Sequence, residues 1–74
     1  MTVGGVVAIG ERTEVAGLAL AGVTVLVAER PDDAVAAWEA LPPGTALVLV
    51  GRAAARALGP ARLEAPEPLT VVLP

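Results

Sequence analysis

The side chains that could do chemistry in this chain are few in kind. Its 74 residues include no serine, cysteine, lysine, histidine or tyrosine. A nucleophile would have to be a threonine or a carboxylate, and a general base would have to be one of the eight Asp and Glu residues. The thiolate and imidazole ligands of most transition-metal sites are missing too. The composition therefore argues against an enzyme and predicts neither a cofactor nor a metal.

Two closely spaced carboxylate pairs are the best remaining candidates for a catalytic site. Glu11 and Glu14 flank the end of the first apolar run, and Asp32 with Asp33 follow the second. A phospho-acceptor site of the receiver type would need an aspartate after the third run, where Gly51 stands. Aspartates in the first turn of a helix are favoured by the helix dipole. We interpret Asp32 and Asp33 as such helix-start charges.

Anion binding is disfavoured by the turn after the first apolar run and by the overall charge. The segment from Gly10 to Gly17 matches neither a G-x-G-x-x-G fingerprint nor a P-loop, and Glu11 and Glu14 in it would repel a phosphate. The net charge is -3, and the five arginines are scattered. A nucleic-acid partner, which needs a basic face, is therefore not expected.

Apolar runs alternate with helical patterns along the whole chain, which predicts one α/β domain over residues 1–74. The runs predict four strands, at 3–9, 23–28, 45–50 and 69–73. The intervening segments predict three helices, at 14–21, 31–41 and 52–58. Thr13 is the expected N-cap of the first helix and Gly22 its C-cap, while Gly59 and Pro60 should end the third helix. We expect a small parallel sheet with the flavodoxin-like, Rossmann-like strand order 2-1-3-4.

This strand order places charged residues together at the carboxyl edge of the sheet, where open α/β sheets bind their ligands. The residues that follow the strands there are Glu11, Arg12, Arg30 and Arg52. Arginine is enriched at protein interfaces, so these four residues are the candidate partner-binding residues. They could equally be solvated loop charges.

The same order leaves part of the sheet without a helix. One helix covers one face and two cover the other, so the apolar outer sides of the third and fourth strands lack a cover. The residues expected there are Leu47, Val48, Leu49, Val71 and Val72. A partner or a second copy should cover such a surface. The lone aromatic residue, Trp38, lies on the apolar side of the second helix and is more typical of a core residue than of an interface hot spot.

A membrane-spanning segment is not expected. The longest uncharged stretch, residues 15–28, is shorter than the ~20 residues that cross a bilayer. The apolar start of the chain has no basic region before it and no cleavage pattern after it, so a signal peptide is not expected either. We expect the cytoplasm, with any membrane association peripheral and through a complex.

Three stretches of the sequence follow the pattern of a known family. A Gly-acidic turn at Gly10-Glu11 is followed by Gly17 and by Leu-Ala-Gly-Val at 20–23. Residues 30–41 form a segment that starts with Pro and acidic residues and continues as an Ala-rich stretch. Together with the later runs in their positions, these features resemble the F subunit of the V/A-type (vacuolar/archaeal-type) rotary ATPases, over nearly all of the chain.

The resemblance implies a non-catalytic subunit of the central stalk. Such a protein docks on the D subunit, which forms the coiled coil of the stalk, and helps to couple ATP turnover to ion transport. Family members continue beyond the fourth strand into a C-terminal helix, whereas this sequence stops at Pro74, so it is either a short form or a piece of a longer chain. The alternative is a stand-alone receiver-like regulatory or scaffold module that acts by homodimerisation.

Overall fold

The structure is a computed structural model that describes residues 5–74, except for the side chains of residues 20 and 21. Its four strands are Gly5–Gly10 (β1), Thr24–Val27 (β2), Thr45–Val50 (β3) and Leu69–Val72 (β4). Its α-helices are Arg12–Val15 (α1), Pro31–Glu39 (α2) and Arg52–Leu63 (α3). A 3₁₀ segment, Ala16–Ala21, continues α1. The predicted start of the first strand, at residues 3 and 4, lies outside the described residues.

The strands form one parallel sheet in the order β2-β1-β3-β4, which confirms the predicted fold class. Each of the first three strands is followed by a helical crossover to the next strand, because parallel neighbours cannot be joined by a tight hairpin. The register places Val25, Ala8, Leu49 and Val71 in a single row across the four strands. Side chains in one such row point to the same face of the sheet.

The core lies between one face of the sheet and the two longer helices, α2 and α3. Its buried strand residues include Val7 and Ile9 of β1 and Val48 and Val50 of β3, each at most 2% exposed. Small residues on the helices allow a close approach to the sheet; they are Ala34, Ala54 and Ala55. Trp38 is half-buried and packs against this cluster, which confirms its role in the core.

The opposite face is covered unevenly. The short α1 and the 3₁₀ segment lie against β1 and β2, where Val15 is fully buried and Ala8 is 0% exposed. Farther along the same row the cover is lost, so Leu49 is half-buried and Val71 is 46% exposed. The predicted uncovered region therefore exists on this face of β3 and β4.

The first helix differs from its prediction. The α-helical part spans Arg12–Val15, and the chain then tightens into the 3₁₀ segment up to the left-handed Gly22, whose φ is 82°. Gly17 within this short stretch weakens α-helix formation, and short runs of 3₁₀ helix are common at helix ends. Thr13, predicted as the N-cap, lies inside the helix, and Glu11 takes the cap position.

The third helix breaks where predicted, and a short helical segment follows the break. Gly59 has a φ of 80° and a ψ of 163°, which are not helical, so the regular helix ends before it, and the chain resumes helical conformation up to Leu63. The added segment was not predicted, and Pro60 stands at the first position of its first turn. There its missing N–H costs nothing and its fixed φ suits the helix.

Candidate functional site

The four candidate partner-binding residues all lie at the carboxyl edge of the sheet. Glu11 and Arg12 follow β1, Arg30 precedes α2 after β2, and Arg52 begins α3 after β3. The three arginines are exposed, and Glu11 is half-buried. Parallel strands direct all their carboxyl ends to one edge, so the topology brings these residues to the same side of the domain.

Carboxylates at this edge accept hydrogen bonds from the backbone at helix starts. Glu14 Oε1 accepts from the Glu11 N–H at 3.0 Å, and Asp33 Oδ2 accepts from the Arg30 N–H at 3.2 Å. Each bond satisfies a donor at the N-terminus of a helix, where such donors have no partner within the helix. Asp33 therefore has the helix-start role predicted for it.

Glu29 connects the segment after β2 to the start of α1 after β1, a role that the sequence did not reveal. The Arg12 N–H donates to Glu29 Oε1 at 3.0 Å across 17 positions of the chain. The contact follows from the register, since Gly10 of β1 lies beside Val27 of β2 and the residues after them are therefore neighbours. That register could be predicted only after the strands had been paired.

Glu14 also fills the crevice between the ends of β1 and β3. The strand order changes direction between β1 and β3, since β2 lies on one side of this pair and β4 on the other. A crevice at such a switch point is the usual ligand position in open α/β sheets. Two glycines, Gly10 and Gly51, line the crevice. A Cβ on Gly10 would lie 3.1 Å from Glu14 Oε1, and one on Gly51 would lie 2.6 Å from Glu14 Cδ. The position that could receive a ligand is thus occupied by the protein's own carboxylate.

A small depression lies beside this edge, between the β2–α2 loop and the start of α3. It is lined by Ala28, Glu29, Arg30, Pro31, Ala53 and Ala54, and its volume is about 40 Å³. Pockets that bury small-molecule ligands usually measure about 300–1,000 Å³. In residues 5–74, no charged side chain is buried, and no three carboxylates come together as a metal site would require. This edge offers a contact surface rather than an enclosed site.

A second candidate surface is the uncovered apolar region, which we call the β3–β4 face and define as Leu47, Leu49, Leu69 and Val71. Leu69 is 62% and Val71 46% exposed, while Leu47 and Leu49 are half-buried. Their alignment, Leu47 beside Leu69 and Leu49 beside Val71, places all four side chains on one side. The surface is continuous because it spans two neighbouring strands.

The composition of this face corrects two sequence-based expectations. Val48 was expected on the uncovered side, but it is 0% exposed beneath the helices because side chains alternate along a strand. Val72 aligns with Val50 and so belongs to the helix side, although it remains 44% exposed at the sheet edge. Leu69 is the most exposed member of the face and was not among the residues expected there.

Comparisons with known proteins found no matching family model, no matching curated protein and no matching solved structure. Within the described part of the chain, none of the helices has the length and apolar character needed to traverse a bilayer.

Proposed function

We propose that this chain is a non-catalytic docking domain whose β3–β4 face binds another protein. The observation that carries the proposal is the exposure of Leu69 and Val71 beside the half-buried Leu47 and Leu49. Parallel sheets are normally covered on both faces, because their crossover helices lie there, and their strands are therefore apolar on both sides. Contiguous exposed apolar surface of this kind marks interaction sites.

The missing cover favours a helical partner. On the β1–β2 half of the same face, the cover is supplied by α1 and the 3₁₀ segment. A partner helix laid along β3 and β4 would complete that layer and give the usual arrangement of helices on both faces. Such a helix would contribute an apolar stripe to Leu49 and Val71.

The resemblance of the sequence to a rotary-ATPase stalk protein suggests which partner this is. Under this proposal the chain is a central-stalk subunit of a V/A-type ATPase or ATP synthase, and the helix belongs to the coiled-coil stalk subunit of the same rotor. The chain would help to couple ATP turnover to ion transport without hydrolysing ATP itself, peripheral to the membrane and on its cytoplasmic side. Glu11, Arg12, Arg30 and Arg52 would be separate polar contacts of the partner at the carboxyl edge, outside the apolar face.

The test is direct binding to a purified coiled-coil stalk subunit, measured by titration calorimetry. Leu69→Asp and Val71→Asp place a charge on the proposed contact surface at positions where the folded chain already meets water. We expect each substitution to weaken binding at least about 10-fold, because a buried unpaired charge is costly. Ala36→Asp is the matched control, since Ala36 is exposed on α2, on the other side of the sheet.

The outcome separates two functional classes. Binding by the wild type and by Ala36→Asp, with loss in both face variants, supports the stalk subunit. A folded wild-type chain that fails to bind any coiled-coil stalk subunit contradicts that assignment. The stand-alone dimerising module would then be favoured, because the uncharged edge strand β4 gives it a means of self-association.

A further inference from the structure

We infer that the free edge of β4 pairs with β4 of a second copy, antiparallel and about a twofold axis at Val71. The pairing would join two four-stranded sheets into one of eight strands. It uses the edge of the sheet rather than the β3–β4 face, and so does not depend on the proposed function.

The backbone of β4 has hydrogen-bonding groups to offer on its outer side. The Leu73 N–H donates to the Val50 carbonyl oxygen at 2.7 Å, so the backbone of Leu73 points inward to β3. Backbone groups alternate in direction along a strand. Thr70 and Val72 therefore direct their N–H and C=O groups away from β3, toward the open edge.

The sequence of the edge is complementary to itself. In an antiparallel pair centred on Val71, Leu69 faces Leu73 of the second copy, Thr70 faces Val72, and Val71 faces Val71. Thr70 of each copy would both donate a backbone hydrogen bond to Val72 of the other copy and accept one from it, and the twofold axis makes this pair occur twice. The two Val71 residues would form the closer pair, which has no hydrogen bonds between its members. Every cross-strand pair thus joins apolar or β-branched side chains, which suit a sheet.

The edge carries neither a charge nor a bulge. Natural edge strands are protected by such features, by proline and by short length, and of these only the short length and the flanking prolines apply to β4. Residues 69–73 are uncharged, and β4 pairs with β3 in continuous register from Leu69 to Val72. Pro68 and Pro74 limit the length of the strand but leave the outward groups of Thr70 and Val72 free to pair.

The contact area of such a pair is small. The strand β4 is four residues long, so its edge offers few backbone groups and little surface to a second copy. Small contacts of this kind lie at the weak end of protein interfaces. This predicts a weak, concentration-dependent dimer.

The experiment is sedimentation equilibrium of the full chain from about 10 µM to about 1 mM, the range expected for a small interface. The apparent mass should rise from 7.3 kDa toward twice that value. A mass that stays at 7.3 kDa throughout overturns the inference.

Two kinds of substitution test the geometry of pairing. Val72→Pro removes an outward N–H and should abolish dimerisation while the fold remains, because that N–H is not bonded to β3. Val71→Lys and Val71→Glu should each raise the dissociation constant of the dimer at least about 10-fold, because each places like charges opposite each other. Mixing the two variants should restore a dimer, since opposite charges then meet at the twofold axis. A mixture that stays monomeric, or a Val72→Pro variant that dimerises as the wild type does, contradicts this pairing.

A face-to-face dimer would give the reverse pattern. Leu47→Glu alters the β3–β4 face on an inner strand, away from the free edge, and should leave edge pairing unchanged. Loss of the dimer in Leu47→Glu, with an intact dimer in Val72→Pro, would overturn the inference and place the contact on the face. Circular dichroism and Trp38 fluorescence identify any variant that has unfolded.

Discussion

The Glu14 carboxylate lies against the α-carbon of Gly51, in the crevice between the ends of β1 and β3. Its Oε1 also accepts a hydrogen bond from the Glu11 N–H at 3.0 Å. A Cβ added to Gly51 would overlap this carboxylate. Gly51 itself has a φ of -70°, which any residue can adopt, so the need for glycine here comes from space and not from backbone strain.

The first prediction concerns this pair. Gly51→Ala should lower the free energy of unfolding by about 1–3 kcal/mol, the usual cost of overpacking. Glu14→Ala should cost about 1 kcal/mol through its lost backbone hydrogen bond. In the double variant the added methyl group meets no carboxylate. The sum of the two single-variant losses should therefore exceed the loss in the double variant by about 1 kcal/mol or more. Urea unfolding followed by Trp38 fluorescence gives the stability of the wild type, the two single variants and the double variant, which together form a double-mutant cycle.

Gly5→Ala is the control for this cycle. It adds the same methyl group at a strand glycine with no neighbour within 4 Å. Its stability should stay within about 0.5 kcal/mol of the wild type. Strict additivity of Gly51→Ala and Glu14→Ala would show that the two residues are not in contact.

The second prediction contrasts two other glycines. Gly59 has a φ of 80°, so Gly59→Ala should destabilise the fold by about 1 kcal/mol or more through backbone strain. Gly17 lies in the 3₁₀ segment with open space around it and without a positive φ. Gly17→Ala should be neutral or stabilise by up to about 1 kcal/mol. Thermal unfolding by circular dichroism compares the two variants, and equal melting temperatures would contradict the kink at Gly59.

The third prediction separates the two faces of the sheet. Val48 is 0% exposed beneath the helices, and Val48→Asp buries a carboxylate with no partner. The expected cost of several kcal/mol matches or exceeds the ~3–5 kcal/mol that holds a domain of this size together, so this variant should be unfolded. Val71→Asp should remain folded, because Val71 is 46% exposed. Amide proton dispersion in NMR spectra distinguishes these outcomes, and a folded Val48→Asp variant would refute the assignment of faces.

The fourth prediction uses two neighbouring aspartates in the first turn of α2. Both interact with the helix dipole, but Asp33 also accepts a hydrogen bond from the Arg30 N–H. Asp33→Ala should therefore cost about 1 kcal/mol, and Asp32→Ala only a few tenths. Chemical denaturation measures the difference. Equal losses would mean that the Asp33 hydrogen bond contributes nothing to stability.

The order of the strands could be predicted because each apolar run is separated from the next by a helical pattern. Right-handed parallel crossovers then leave few arrangements. The face of each strand residue was harder to assign, since β3 is apolar on both sides and composition does not distinguish Val48 from Leu49. The register and the positions of the helices decide which of the two is buried.

The local structure around the candidate site depended on side-chain geometry that spacing does not specify. Thr13 and Glu11 are both near the start of α1, and the bond from the Glu11 N–H to Glu14 shows which of them takes the cap position. The position of Glu29 beside Arg12 required knowledge of strand pairing. The three exposed arginines were placed correctly because parallel strands share a carboxyl edge, which follows from topology alone.

The half-covered sheet also bears on the fate of the chain in a cell. Under the proposed function, a copy without its partner displays Leu69 and Val71 to the surroundings, and exposed apolar surface of this kind is recognised by chaperones and proteases. Newly made chains in excess of that partner would then be degraded, while assembled chains would bury these residues. The abundance of the protein should in that case follow the supply of the partner, so that stoichiometry is set by degradation of unassembled chains as well as by synthesis.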